Sequence, residues 1–400
     1  MPRRDGARWG LSALVTVPSA ADDGVVLGPL MDVFRLRQYF DVAVRVRQFA
    51  TAGLAEDAKF LNLAVRALLP VPSRRADAAN TVFPDLRHRP VGAFADQRVA
   101  LLATGGSGAL ASVVGAARAM EESGITPSVI SVCSGSALFG FPLAAGLPAS
   151  EVARFAVGLA PEDYVDVDWR ALALLAPRVG RGFGGLLRGE RLEATYRGLL
   201  GDMTLGQLPI PAYAPIWNIE TNRTEYLGPT TYPDMPVARA VRMAVALPLF
   251  FAPVELDGGY WCDGGIVDIF PVHPVLDLEK HSDAVVAVNG FYPPGFAGED
   301  QQGWNERPAS ILDIASQIRT SQQAQLAREN LARLEQACDV LLVEPVDYGV
   351  VAGLGFYRQF LDTSEWTTFI RAGRQATLRA LRRAGGTATL SRSPRSGRTG

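Results

Sequence analysis

Between Arg98 and Leu138 the chain twice runs through one pattern: a short apolar stretch, a cluster of small residues, and a helical repeat that begins at once. The first stretch is Arg98 to Thr104, followed by the turn Gly105-Gly106-Ser107-Gly108 and a helix predicted over 109–122. The second is Pro127 to Cys133, followed by Ser134-Gly135-Ser136 and a helix predicted over 137–145. Continuous apolar runs of this length suit strands buried on both faces. Strands joined through a helix lie parallel, with a right-handed crossover. The pattern predicts an α/β fold with a mainly parallel central sheet in a three-layer α/β/α arrangement.

Downstream the reading continues. Helices are predicted over 149–159, 169–176, 191–200 and 236–246, and neighbouring strands over 212–218 and 223–227. Strands at 254–256 and 259–262 flank Asp257-Gly258, a hairpin signal. A buried strand at 284–289, a long polar helix at 309–337, a last strand at 339–344 and a basic helix at 364–384 complete the series. The glycine-rich stretch 180–185 is predicted to be a loop or lid. Upstream, 30–50 and 55–69 read as helices, and the Pro-, Ala-, Arg- and Asp-rich 70–96 reads as a linker. The expected division is a flexible leader (1–28), a helical extension and linker (29–96), a catalytic-type domain (97–345), a C-terminal helical segment (346–384) and a disordered tail (385–400).

Composition excludes several classes. A formal net charge of -2 offers no global field for nucleic acid. The 3 cysteines, Cys133, Cys262 and Cys338, have neither zinc nor redox spacing and suit a reducing compartment. No run reaches the roughly 20 apolar residues that span a bilayer. Arg3, Arg4 and Arg8 before the run 11–17 resemble a weak export signal, but Asp5, Ser12 and Thr16 interrupt it. The expectation is a cytoplasmic chain with a flexible or strand-like leader.

The chemistry concentrates at the two turns and at one later motif. Ser134 stands where a strand turns into a helix, the setting of a nucleophile elbow. Its surroundings, Val132-Cys133-Ser134-Gly135-Ser136, carry neither glycine of the usual G-x-S-x-G. The turn at Gly105 opens a helix, and free amides there can hold an anion or an oxyanion. No Lys-Ser/Thr follows it and its spacing is not G-x-G-x-x-G, which argues against NTP and dinucleotide sites. Far downstream stands Asp263-Gly264-Gly265.

In this order and spacing, residues 98–275 resemble the patatin-like phospholipase family. That family carries G-G-G-x-R/K-G, then G-x-S-x-G, then D-G-G or D-G-A. The run Arg242 to Val254 before Asp263 is similar to the family's helix and Pro-Val corner. The first motif departs from the pattern at Ser107, Ala109 and Leu110, and the second at Val132 and Ser136; the Asp motif is intact. The resemblance implies a Ser–Asp dyad of Ser134 and Asp263 without histidine. It also implies an oxyanion site from the backbone amides of Ser107 and Gly108 with Gly106, and flanking roles for Gly105, Val132, Ser136, Gly264 and Gly265.

It further implies a serine lipid acyl hydrolase working through an acyl-enzyme, with an acyl lipid as substrate and no cofactor or metal. A patatin-like scaffold that binds lipid or a partner without turnover stays open beside it. So does a Ser-His-Asp triad using His88, His273 or His281. Lipid substrates imply peripheral contact with a membrane or droplet, for which the apolar helix 30–50 and the basic helix 364–384 are candidates.

Overall fold

The computed structural model describes residues 16–18, 24–26, 82–83, 94, 96–170, 184–279, 282–297, 311–351, 359–360 and 362–391. The predicted helices at 30–50 and 55–69, most of the linker, most of 169–176 and of the 180–185 loop, His88, His281 and residues 392–400 lie outside them.

In chain order the strands and principal helices are β1 (Thr16–Pro18), β2 (Gly24–Val26), β3 (Val99–Ala103), α1 (Ser112–Glu122), β4 (Ile130–Ser131), α2 (Ala137–Ala144) and α3 (Ala149–Gly158). Next come β5 (Gly185–Leu187), α4 (Glu190–Leu200), β6 (Ala212–Asn218), β7 (Arg223–Leu227), α5 (Val237–Ala244), β8 (Leu249–Phe251), β9 (Val254–Leu256) and β10 (Gly259–Asp263). The chain continues with β11 (Ala284–Val288), α6 (Ile311–Ala337), β12 (Asp339–Val343) and α7 (Trp366–Ser391). Within the leader, β1 and β2 pair as an antiparallel hairpin.

The main sheet runs β12-β11-β3-β4-β6-β10-β9, with β7 on β6. Its first five strands are parallel, and one row crosses them: Leu341, Val286, Leu101, Ile130 and Ala212. β3 and β11 are buried along their whole length, as their unbroken apolar sequences require. One face of the sheet packs Leu101, Ile130 and Val286 against residues of α1, α2, α3 and α7. The other packs Ala100, Leu102 and Val285 with Phe270, Phe296 and the apolar positions of α6. The three layers and the mainly parallel sheet are as expected.

Three details differ from the sequence reading. The β4 ladder covers only Ile130 and Ser131, because the chain leaves the sheet for the turn at Ser134. The stretch at 249–251 is a short strand, paired in parallel with β5. The boundary at 345 separates no second core: Trp366, Phe369 and Ile370 of α7 share the core of β3 and α1. The basic helix is therefore no solvated or membrane-facing surface along this side. Arg374 instead reaches buried Glu122 through two hydrogen bonds of 2.9 and 2.8 Å. The helix also continues to Ser391, past the expected start of the tail.

The α1–α7 crossing is close because it is built on glycine. A Cβ on Gly115 would stand 1.9 Å from the carbonyl oxygen of Ile370. Gly115→Val is expected to destabilise the protein by about 3 kcal/mol, since backbone on the facing helix must move; a denaturant titration measures it.

Candidate active site

The topology brings two strand ends face to face. β7 takes one edge of β6 along Ala214–Asn218. On the other edge, β4 lies parallel beside Ala212 and Tyr213, and β10 lies antiparallel beside Ile216 to Asn218. β4 and β10 thus point their carboxyl ends at each other. The first leads into Ser134 and the second ends at Asp263.

Ser134 has φ +51°, in the left-handed region that L residues avoid. The turn is held open by its neighbours. Ser136 Oγ accepts from the Cys133 amide and donates to the Cys133 carbonyl, both at 2.8 Å. The residue that replaces a glycine here acts as a cap. Val132 is fully buried, and its bulk is met by a glycine in the facing helix: a Cβ on Gly140 would stand 2.5 Å from Val132 Cγ1. The departure from G-x-S-x-G is accommodated eight positions away, where the motif itself gives no signal.

The first glycine turn lies against this elbow. Gly105 donates to the carbonyl of Ile269 at 2.9 Å, which ties the turn to the chain just beyond the Asp motif. Gly106 has φ +149°, and a Cβ on Gly135 would stand 2.2 Å from its carbonyl oxygen. Ser107 precedes a short 3-10 turn, Gly108–Ala111, so the amides of 106–108 sit at a helical N-terminus. Among the described residues none of these three amides donates a hydrogen bond to a protein acceptor. Ser107 Oγ donates to Gln359 Oε1 at 3.2 Å, and Gln359 O accepts from Trp366 Nε1 at 2.9 Å. The hydroxyl that replaces the motif's third glycine anchors the turn to the C-terminal segment.

Asp263 is buried, with 1% of its surface exposed. Its amide donates to Ala246 O at 3.0 Å, and its Oδ1 accepts from the Gly265 amide at 2.8 Å. Gly264 and Gly265 are buried in the 3-10 turn that follows, and Gln323 of α6 donates to Gly265 O at 2.6 Å. Burial pushes the carboxyl pKa up to about 6, against the opposing pull of the Ser134 hydroxyl and the Gly265 amide. Oδ2 has no hydrogen bond of standard geometry. The Ser134 hydroxyl is among the groups that lower this pKa, and no Ser134–Asp263 hydrogen bond of standard geometry forms.

A pocket opens on Ser134. Gly106, Ser107, Gly108, Ser134 and Gly135 form its polar end. The remainder is apolar: Leu138, Leu159, Tyr164, Leu192, Val245, Leu247, Phe250, Phe251, Phe360 and Trp366. Sequence reasoning missed the last two, together with Gln359, because nothing near them resembles a motif. Of the three histidines of the triad alternative, only His273 lies among the described residues; it is half-exposed, holds Asp277 through Nδ1 at 2.7 Å, and does not line the pocket. Among the described residues no group of three or more His, Cys, Asp or Glu could hold a metal, and no helix is long and apolar enough to cross a membrane.

Residues 101–276 match the family model described as patatin-like phospholipase. The chain is 30% identical over 194 residues to an uncharacterized NTE family protein of Mycobacterium tuberculosis. That match covers 48% of this chain and 49% of the relative, so it spans about half the length of the curated proteins it resembles. Among solved structures, VipD from Legionella pneumophila is similar with a TM-score of 0.40 and 14% identity, over 72% of this chain and 67% of that one. Human GIVD cytosolic phospholipase A2 is similar with a TM-score of 0.35 and 12% identity, over 83% and 67%. With the match covering the glycine turn, the elbow and the Asp motif, the chain carries a domain of the patatin-like phospholipase family.

Proposed function

We propose that this protein is a serine lipid acyl hydrolase with a Ser134–Asp263 dyad. The observation that carries the reading is the left-handed Ser134, set between a buried carboxylate and an apolar pocket. Ser134 Oγ attacks the ester carbonyl as Asp263 takes its proton. The amides of Gly106, Ser107 and Gly108 hold the oxyanion of the tetrahedral intermediate. Collapse breaks the bond to the alcohol, which leaves with the proton from Asp263. Water, giving its proton to Asp263, then releases the fatty acid and restores Ser134.

The pocket suits a long acyl chain better than a polar substrate, since its polar groups are confined to the end at Ser134. A fluorophosphonate probe is expected to label the protein and to fail on Ser134→Ala. Absence of labelling, with no hydrolysis over a range of acyl esters, would instead leave a patatin-like lipid-binding scaffold. Essentiality of a histidine would restore the triad.

Gly135→Ala tests the oxyanion turn. Its methyl group would push into the Gly106 carbonyl and displace the amides beside it. A loss of about 100-fold in kcat is expected, the magnitude associated with one oxyanion donor, with KM little changed.

A further inference from the structure

We propose that the tip of the small ribbon beside the pocket is the surface by which this protein enters a phospholipid bilayer. The proposal rests on the lipid-hydrolase reading of the pocket. β5 pairs with β8 on one side, Gly185 opposite Leu249 and Leu187 opposite Phe251. On its other side β5 meets the chain at Val167, which bridges Leu187 in antiparallel register, with Asp168 donating to Leu186 O at 2.9 Å. The pairing stops there: the chain turns at Trp169, whose amide donates to Val167 O at 3.1 Å and which opens a helix, while Leu249 stands beside Gly185 at the free end of the β5–β8 ribbon.

The two ends of the ribbon differ sharply. At one, Leu187 and Phe251 are buried, and Phe250 and Phe251 line the pocket above Ser134. At the other, Leu249 is 73% exposed, Leu186 is exposed on the neighbouring strand, and Trp169, just past the bridge, is 54% exposed. One strand of three residues therefore carries both the pocket wall and an apolar side chain in solvent. At a rise of about 3.3 Å per residue, the exposed tip lies roughly 7 Å from the wall. Leu249 is also held at φ +69°, where glycine would be the ordinary choice.

A bilayer fits this surface better than a folded partner. The apolar tip is small, too narrow for a stable protein interface. Trp is at home at the lipid–water boundary. The exposed Arg170, next to Trp169, suits a lipid phosphate. Seating the tip among acyl chains brings the pocket mouth to the depth of the ester groups, so a lipid can enter without crossing water.

The test is flotation of the full chain carrying Ser134→Ala with phosphatidylcholine vesicles, compared with the same chain also carrying Leu249→Gly. Glycine suits the backbone at 249, so the second protein is expected to fold at least as well, checked by thermal melting. The expected result is binding that persists at high salt and weakens about tenfold with Leu249→Gly, as for loss of one inserted leucine. Trp169→Ser should weaken it as well.

With Ser134 intact, Leu249→Gly should leave hydrolysis of a soluble short-chain ester unchanged and reduce hydrolysis of vesicle lipid. Absence of flotation, equal flotation of both proteins, or a dimer that Leu249→Gly dissolves would overturn the proposal. Failure on the soluble ester alone would overturn the hydrolase reading and leave the surface standing.

Discussion

Ser134→Ala is expected to lower kcat/KM for acyl esters by about 10⁴-fold or more, the scale on which nucleophile removal acts in serine hydrolases. The protein should remain folded, because the alanine methyl occupies the space of the serine Cβ. Ser134→Gly should be equally inactive but more stable. The backbone at 134 lies at φ +51°, a conformation that costs an L residue about 1–2 kcal/mol and glycine almost nothing. Denaturant titration of the two variants should therefore separate them by about 1 kcal/mol, with glycine the more stable. A serine that is merely structural would show no such opposition between activity and stability. Equal stability of the two variants would count against a strained elbow, and residual activity in either would count against Ser134 as the nucleophile.

Asp263→Asn is the second large effect. The carboxyl is fully buried, and burial raises its pKa from the ordinary value to about 6. The sign follows from proton binding. Between about pH 4 and 6 the folded protein holds a proton that the unfolded chain has released, so stability falls as pH rises through this window. Above it the ionised carboxylate costs on the order of 3 kcal/mol, from about two pKa steps. Asparagine carries no charge to desolvate. The variant should be more stable than the parent at pH 8, by about 1–3 kcal/mol, and little different at pH 4.

Activity should move the other way. The base must be ionised, so kcat/KM in the parent should rise with pH through a midpoint near 6. Asp263→Asn should lose about 10³-fold or more and its residual rate should be flat over that range. A variant that is destabilised at every pH would point to a structural role for the carboxylate. A parent profile without this rise would exclude Asp263 as the proton acceptor.

Much of the scaffold was legible because its signals are local. β3 and β11 are continuous apolar runs, and such runs are buried on both faces in a parallel sheet. α4, β6, β7 and the β9–β10 hairpin follow from period and turn chemistry within a few residues of themselves. The candidate site was legible in a coarser way, through the order of three short motifs.

What the motifs could not show is how their departures are absorbed. Val132 has room because Gly140 faces it from α2. Ser136 closes the turn with two hydrogen bonds to Cys133. Ser107 is anchored by Gln359, 252 residues away in the chain. The C-terminal helix was read as a separate basic segment because its arginines are visible in the sequence and their partner is not. Arg374 belongs to Glu122, also 252 positions distant, and the Gly115 contact lets the two helices approach.

By itself the sequence determined the layer architecture, the run of strands and helices that builds it, and which serine and which aspartate to compare. Backbone propensity and apolar periodicity act over a few residues, so these features are written locally. The tertiary structure alone decided that β4 and β10 meet end to end on one edge of β6. It also decided that Ser134 is left-handed, that Asp263 is buried, and that the C-terminal segment walls the pocket. Each of these depends on contacts between distant parts of the chain, and such contacts exist only once the sheet has ordered its strands.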